Sequence, residues 1–359
     1  MYQINMLPAA HGDCLWVTWG TAPDLHHMLI DGGPPGTAPA LRRRIEQAVT
    51  AAGGRLHIDL LVVSHIDSDH IGGILSLLEA PPAGVTFGDI WFNAYRHLLP
   101  PDLLGAVQGE KLTKLLADKK LPHNLAFSGK AVVVPPKGLL PQITLSGDMT
   151  LTLLSPTPDK LARLAPQWAD EAHEAGLQLG IPAAPPATDL LGRNNVWPPN
   201  LAALATSPFV GDGSAANGSS IAFIAGYGGR CCLFAADAHA DVLTASLKQL
   251  ETPVKLDAFK LPHHGAGANL SPELLALVES DRFLFSTNGA IYKHPDFAAV
   301  ARILKRGTGP TPTLIFNYRS DTTSVWEGLP ELPDAPAAKL IFLTNDAGGA
   351  VIDLENDDA

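Results

Sequence analysis

Residues 64–73 of the chain read Ser64-His65-Ile66-Asp67-Ser68-Asp69-His70-Ile71-Gly72-Gly73. The apolar run at 60–63 just before them predicts a buried strand, and the apolar spacing over 72–78 predicts a helix. The order is therefore a strand, a polar loop and a helix. In α/β proteins, ligand sites lie beyond the carboxyl ends of such strands.

This loop concentrates metal-binding side chains: His65, Asp67, Asp69 and His70 lie within six positions. Imidazoles and carboxylates crowded in this way lose solvation and repel one another unless a cation compensates them. A single histidine or aspartate in a loop is more often an ordinary solvated residue. The whole run, followed at once by two glycines, predicts a metal site.

The rest of the chain alternates strand-like and helical segments without an internal repeat of fixed period. We expect a single domain spanning 1–359, with an elaborated insertion at about 91–214, where the apolar pattern weakens. Inside the insertion we predict a strand pair at 131–134 and 149–154. Because long loops on a rigid scaffold tend to bear function, substrate selection is expected there.

Charge and cysteine usage limit the possible partners and compartment. The net charge of −11 argues against broad attraction to nucleic acid, although a local basic groove stays possible. The three cysteines are odd in number, and Cys231 and Cys232 are adjacent, which favours a reducing compartment over a disulfide framework. With no basic segment followed by an apolar one at the N-terminus, we expect a soluble, cytoplasmic protein without a membrane partner. Nothing in the sequence indicates the oligomeric state.

The histidine-rich run resembles the metal-binding signature of the metallo-β-lactamase superfamily, His-x-His-x-Asp-His after a strand, except that Asp67 stands where the second histidine usually lies. This variant, Ser-His-x-Asp-x-Asp-His-x-Gly-Gly, is similar to the branch containing the hydrolase-like domain of the DNA-uptake protein ComEC and the phosphorylcholine esterases. Other motifs of the chain extend the resemblance: His11-Gly12-Asp13-Cys14, Leu29-Ile30-Asp31-Gly32-Gly33, Asn217-Gly218-Ser219-Ser220, Phe234-Ala235-Ala236-Asp237, Leu261-Pro262-His263-His264-Gly265 and Tyr292-Lys293-His294-Pro295. The resemblance implies an α/β fold, the αββα sandwich of two mixed β-sheets flanked by helices.

The same resemblance implies two divalent metal ions, and its candidate ligands are His65, Asp67, Asp69, His70, Asp237, His263 and His264. One ion would be held by His65 and Asp67. The other would be held by Asp69, His70 and one member of the pair 263/264, a choice that the sequence leaves open, and Asp237 would bridge the two ions. Asn217 lies where other members have a third histidine, so the first ion is short of a ligand. Because carboxylates make the site harder, Mn²⁺ rivals Zn²⁺.

Two divalent ions outweigh three aspartates in charge, so the resemblance leads us to expect an anionic phosphodiester as substrate, with nucleotides or nucleic acid among the candidates. The predicted catalytic residues are Asp69, Asp237 and His294. Possible substrate contacts are Asn217, Asn288, Tyr292 and Lys293. Two alternatives stay open: hydrolysis of a thioester, lactone or other ester on the same fold, and a non-catalytic nucleotide-binding or regulatory module.

Overall fold

The computed structural model describes residues 1–94, 97–98, 107–165, 195–307, 309–332, 336–342 and 349–356. Its strands are β1 Tyr2–Met6, β2 Leu15–Thr21, β3 Asp24–Ile30, β4 Leu56–Val62, β5 Val85–Trp91, β6 Gln142–Thr144, β7 Thr150–Ser155, β8 Ala222–Tyr227, β9 Arg230–Phe234, β10 Val254–Leu256, β11 Ala258–Lys260, β12 Val278–Ser280, β13 Arg282–Phe285, β14 Thr313–Phe316, β15 Lys339–Phe342 and β16 Ala350–Asp353. Its helices are α1 Ala38–Ala51, α2 Ser68–Glu79, α3 Val107–Asp118, α4 Leu201–Ala205, α5 Ala215–Gly218, α6 Ala240–Leu247, α7 Pro272–Ala276 and α8 Phe297–Leu304.

Two mixed sheets and their flanking helices form the predicted sandwich, which confirms the fold class. The first sheet has the order β16-β1-β2-β3-β4-β5, and the second has the order β15-β14-β13-β11-β9-β8-β7-β6. A short parallel pair, β10-β12, lies apart from both. Among the described residues, no helix is both long and apolar enough to span a lipid bilayer.

The alternation of side chains along a strand divides the core into layers. In β3, Met28 and Ile30 join the cluster that fills the space between the sheets. Leu29, which points to the opposite face, packs instead in a second cluster with Leu41 and Ile45 of α1. Both faces of the first sheet are therefore covered by apolar groups.

Parallel pairing brings the carboxyl ends of several strands to the same edge. In the second sheet β9, β11, β13 and β14 run parallel, and in the first sheet β4 runs parallel to β3 and β5. The polar motifs of the sequence follow these strands: His65 follows β4, Asp237 follows β9, and the 263/264 pair follows β11. The topology thus gathers segments that are far apart in sequence.

The strand predicted at 131–134 is wrong. The backbone of Val132 is bound by the side chain of Asn93, whose amide accepts from Val132 N and donates to Val132 O, at 2.8 and 2.9 Å. Because a side chain binds both the N–H and the C=O of Val132, these backbone groups do not pair with a neighbouring strand. The second predicted strand exists as β7, which pairs with β6 and β8. Part of the predicted insertion therefore extends the second sheet, while 166–194 lie outside the described residues.

Candidate metal centre

The prediction that the histidine-rich run lies entirely on a loop is wrong, because its second half forms the start of a helix. Helix α2 begins at Ser68, and Asp67 is the extended residue before it, with its carbonyl accepting from His70 N at 2.9 Å. Asp69 and His70 therefore belong to the first helical turn. The partial positive charge of a helix N-terminus stabilises a carboxylate such as that of Asp69 at this position.

Four imidazoles surround a single carboxylate oxygen, Oδ2 of Asp237. The Nε2 atom of His70 lies 3.4 Å from it, those of His263 and His264 both lie at 3.7 Å, and that of His65 lies at 3.9 Å. Most of these separations exceed the range of a good hydrogen bond. The cluster therefore has room at its centre that direct contacts do not fill.

The opposite ring nitrogen of each imidazole is held by an acceptor of the protein. The Nδ1 atom of His65 donates to Ser64 Oγ at 2.9 Å, and that of His70 donates to Asp31 Oδ2 at 2.8 Å. The Nδ1 atom of His263 donates to Asn269 Oδ1 at 3.1 Å, and that of His264 donates to Ser286 O at 2.9 Å. These contacts fix the rings with Nε2 pointing inward, as partners of metal-ligating histidines do. The Nε2 atoms of His65, His70 and His264 are buried and have no hydrogen-bond partner among the described residues.

Two further carboxylates lie beside these nitrogens. Asp69 Oδ2 is 3.6 Å from His264 Nε2 and 3.9 Å from His70 Nε2, and Asp67 Oδ2 is 3.5 Å from His65 Nε2. Two ligand atoms that share one ion at about 2.1 Å and a tetrahedral angle are about 3.4 Å apart. The side chains present are therefore spaced to hold a divalent cation, and Asp69, His70 and His264 form one compact group of candidate ligands.

The electrostatics of the cluster favour a cation. Burial disfavours protonation of His264, but the carboxylates of Asp237 and Asp13 outweigh it and raise the pKa of His264 to about 9. Burial also opposes the charge of Asp237, yet the neighbouring imidazoles of His70, His264 and His263 hold the pKa of that carboxyl well below its usual value. A metal ion would replace the protons that these carboxylates attract.

A buried ion pair supports the cluster from behind. Lys260 Nζ donates to Asp13 Oδ2 at 2.6 Å and to Leu261 O at 3.1 Å, and the side chains of Lys260 and Asp13 are each 1% exposed. The other oxygen of Asp13 lies 3.4 Å from His264 Nδ1. Sequence reasoning missed Lys260, although a lysine at the end of an apolar strand was a usable signal.

A polar network lies behind His263. Asp212 Oδ2 accepts from Asn217 Nδ2 at 2.7 Å and from Asn269 Nδ2 at 3.0 Å, and it lies 3.6 Å from His263 Nδ1. Asn217, a predicted substrate contact, is thus turned towards Asp212. Asp212 and Asn269 were also missed from the sequence, because no motif or spacing marks them.

The predicted residues near 288–294 lie at the margin of the cluster. His294 is 1% exposed, with its Nδ1 3.5 Å from Asp296 Oδ1 and its ring 5.3 Å from that of His263. Tyr292 stacks on His294 with ring centroids 6.1 Å apart. The Asn288 side chain accepts from the backbone of the same turn. His294 and Tyr292 therefore border the centre, whereas the Asn288 amide stabilises the turn.

Lys293 lies on the other side of this loop. It is exposed and lines a cavity of about 520 Å³ together with Trp197, Ile291 and Phe297. The structure thus places this predicted substrate contact in an apolar cavity, separate from the imidazole cluster.

Comparison with known proteins agrees with this architecture. Residues 12–162 match the family model of the metallo-beta-lactamase superfamily, a segment that contains Asp13 and the histidine-rich run but not Asp237 or His264. The match therefore covers the histidine-rich run and leaves the later motifs outside it. No curated protein sequence matches the chain.

Several solved structures are similar to the chain at low identity. The metallo-beta-lactamase fold protein YhfI from Bacillus subtilis is 11% identical over 98% of this chain and 100% of its own, with a TM-score of 0.41. CmlA from Streptomyces venezuelae, a diiron beta-hydroxylase, is 14% identical over 95% of this chain and 53% of its own, with a TM-score of 0.38. A HARLDQ-motif mutant of a metallo-beta-lactamase from Cronobacter sakazakii is 16% identical over 68% and 70%, with a TM-score of 0.30.

Proposed function

We propose that this protein is a metal-dependent hydrolase that cleaves an anionic phosphodiester at a site for two divalent ions, Zn²⁺ or Mn²⁺. The observation that supports it most directly is a set of buried Nε2 atoms around Asp237, which have no hydrogen-bond partner in the part of the chain that the structure describes. Burying such atoms unsatisfied is costly, and a cation removes that cost. The superfamily matched by residues 12–162 typically binds divalent metals.

The ligands divide into two groups around Asp237. Asp69, His70 and His264 would hold one ion, since one ligand atom from each lies within 4.8 Å of the others. His65 and Asp67 would hold the other, with 3.5 Å between their nearest ligand atoms. Because Asp237 Oδ2 lies close to both groups, Asp237 would be shared. This division selects His264 from the pair 263/264 as the ligand of the ion held by Asp69.

The proposed ligands differ in their exposure to solvent. The Asp67 side chain is 41% exposed, those of His263 and Asp69 are 15% and 13% exposed, and those of His65 and His70 are fully covered. A substrate would therefore approach beside Asp67 and His263. When bound, the two ions would lower the pKa of water at this opening and stabilise negative charge on the reacting group.

The charge of this site favours an anion over a neutral ester. Two divalent ions bring four positive charges, and the three aspartates of the proposed ligand shell bring three negative ones. The buried Lys260 compensates Asp13 separately. Asp67 at the usual second-histidine position is also the feature that resembles the ComEC-like branch, which supports a phosphodiester as substrate.

Hydrolysis of bis(p-nitrophenyl) phosphate by metal-stripped protein resupplied with Zn²⁺, Mn²⁺ or Mg²⁺ tests this function. We expect metal-dependent turnover that falls at least about 100-fold in Asp69→Asn. The matched control is Asp241→Asn, which changes a largely exposed carboxylate paired with Lys160 and should leave turnover intact.

Two results would contradict the proposal: no turnover with any of the three ions, or equal turnover in wild type and Asp69→Asn. Assaying p-nitrophenyl acetate in parallel separates the alternative chemistry. Metal-dependent cleavage of this ester, with no cleavage of the phosphodiester, would identify an ester hydrolase instead.

A further inference from the structure

We infer that His263 is a ligand of the ion held by His65 and Asp67, and that it occupies the coordination position that Asn217 cannot supply. The inference rests on the two-ion site proposed above and assigns a residue that the resemblance leaves undecided. It gives each ion two imidazoles, one aspartate of its own and a share of Asp237.

The arrangement of the four imidazoles supports this assignment. His70 and His264 group with Asp69, and His70 also groups with His65 and Asp237. The two other inward-pointing nitrogens, Nε2 of His65 and Nε2 of His263, lie 3.9 and 3.7 Å from the shared Asp237 oxygen. A site with His65, Asp67 and Asp237 alone has three protein ligands, and His263 brings it to the four that zinc prefers.

The backbone explains how two successive histidines reach one centre. His263 and His264 both have left-handed conformations, with φ of 46° and 56°. Side chains of consecutive residues ordinarily diverge, and this conformation is unfavourable for residues with a Cβ. Strain of this kind is kept where it places functional groups. Here it turns both Nε2 atoms to within 3.7 Å of the same oxygen.

The Asn217 side chain lies outside the proposed ligand shell, where it contacts the residues that hold the His263 ring. Its Nδ2 atom lies 3.4 Å from His263 Nδ1, on the ring edge opposite the one that faces Asp237. It donates to Asp212, which lies beside the same Nδ1 atom, and Asn269 accepts from that atom. Asn217 and Asp212 are therefore positioning residues that act through His263.

Metal content measured by mass spectrometry tests the inference without an activity assay. Protein saturated with Zn²⁺ and then desalted should retain two equivalents in the wild type and one in His263→Ala. His239→Gln is the matched control, because His239 is buried in the same region but faces Asp212, and it should retain two. Asp212→Asn should also bind two, with the weaker ion losing about 10- to 100-fold in affinity in a chelator competition.

Co²⁺ substitution gives a second readout for the same variants. Loss of one imidazole should reduce the visible absorption of one Co²⁺ equivalent in His263→Ala and leave the other unchanged. Circular dichroism of each variant separates loss of a ligand from loss of the fold. If His263→Ala unfolds, His263→Gln takes its place in both measurements.

The outcomes distinguish this inference from the proposed function. Two tightly bound equivalents in folded His263→Ala or His263→Gln, with an unchanged Co²⁺ spectrum, would overturn the role of His263 and leave the two-ion site standing. Wild-type protein that retains no metal would contradict both. One equivalent in the variant and two in the wild type and His239→Gln would establish the assignment.

Discussion

Replacing Lys260 by methionine should destabilise the metal-free protein strongly, because it leaves a charged carboxylate buried without its partner. At the 2.6 Å that separates Lys260 Nζ and Asp13 Oδ2, Coulomb's law with an effective dielectric constant of about 20 gives an attraction of about 6 kcal/mol. Desolvation offsets part of it. Removing one member of a buried pair typically costs about 3–5 kcal/mol, which is the loss expected for Lys260→Met.

The double variant Lys260→Met/Asp13→Asn separates the pair from simple packing. With both charges removed, only a hydrogen bond and some contacts are lost, so we expect a cost of about 1–2 kcal/mol. The single variant Asp13→Asn should be destabilised nearly as much as Lys260→Met. A coupling energy of at least about 4 kcal/mol follows, because two single losses of about 3 kcal/mol each exceed a joint loss of about 2 kcal/mol by that amount.

Urea unfolding of the chelator-treated proteins, followed by circular dichroism and extrapolated to water, measures these free energies. Metal-free protein is required because a bound ion would stabilise only the folded state. If the two single losses add up in the double variant, the lysine and the aspartate do not interact, and the reasoning from the buried pair is refuted.

Three further predictions concern other positions. Asp31→Asn should keep the left-handed turn at φ 58° but weaken the hold on the His70 ring. Metal affinity should therefore fall about 10- to 100-fold in a chelator competition, and an unchanged affinity would contradict this prediction. Gly73→Ala should cost about 3 kcal/mol in urea unfolding, because a Cβ there overlaps the Gly32 carbonyl, whereas Gly213→Ala, in open space, should be neutral. Burial lowers the pKa of His27 to about 4, so between pH 6.5 and 4 the unfolded chain binds more protons than the folded one. The free energy of unfolding should therefore fall by about 2–3 kcal/mol as the pH is lowered from 6.5 to 4. His27→Gln should flatten this part of the stability profile.

The local features of the centre could be predicted from sequence because they depend on neighbours along the chain. Apolar periodicity identified β4 and α2, and the spacing of His65, Asp67, Asp69 and His70 identified the candidate site between them. Even here the start of α2 was misplaced. The sequence pattern begins at the first apolar residues, whereas the helix begins with polar residues whose backbone already bonds back to Asp67.

The environment of each side chain could not be predicted in the same way. Asp13 and Lys260 are 247 residues apart in sequence, and they meet because β11 of the second sheet ends opposite the turn that precedes β2. Asp212 and Asn269 lie on segments without motifs. Such contacts depend on which strands are neighbours, and a single sequence contains no direct measure of that.

The sequence by itself determined the strand before His65, the helix after Gly72 and the cluster of metal-binding side chains between them, because hydrophobic periodicity and ligand spacing are local properties of the chain. The fold class followed from the resemblance of its motifs to a known superfamily. Only the tertiary structure decided that both histidines of the pair 263/264 approach Asp237 and that His264 groups with Asp69. That choice depends on two consecutive left-handed residues and on polar partners from distant segments, and neither leaves a pattern in the amino-acid sequence.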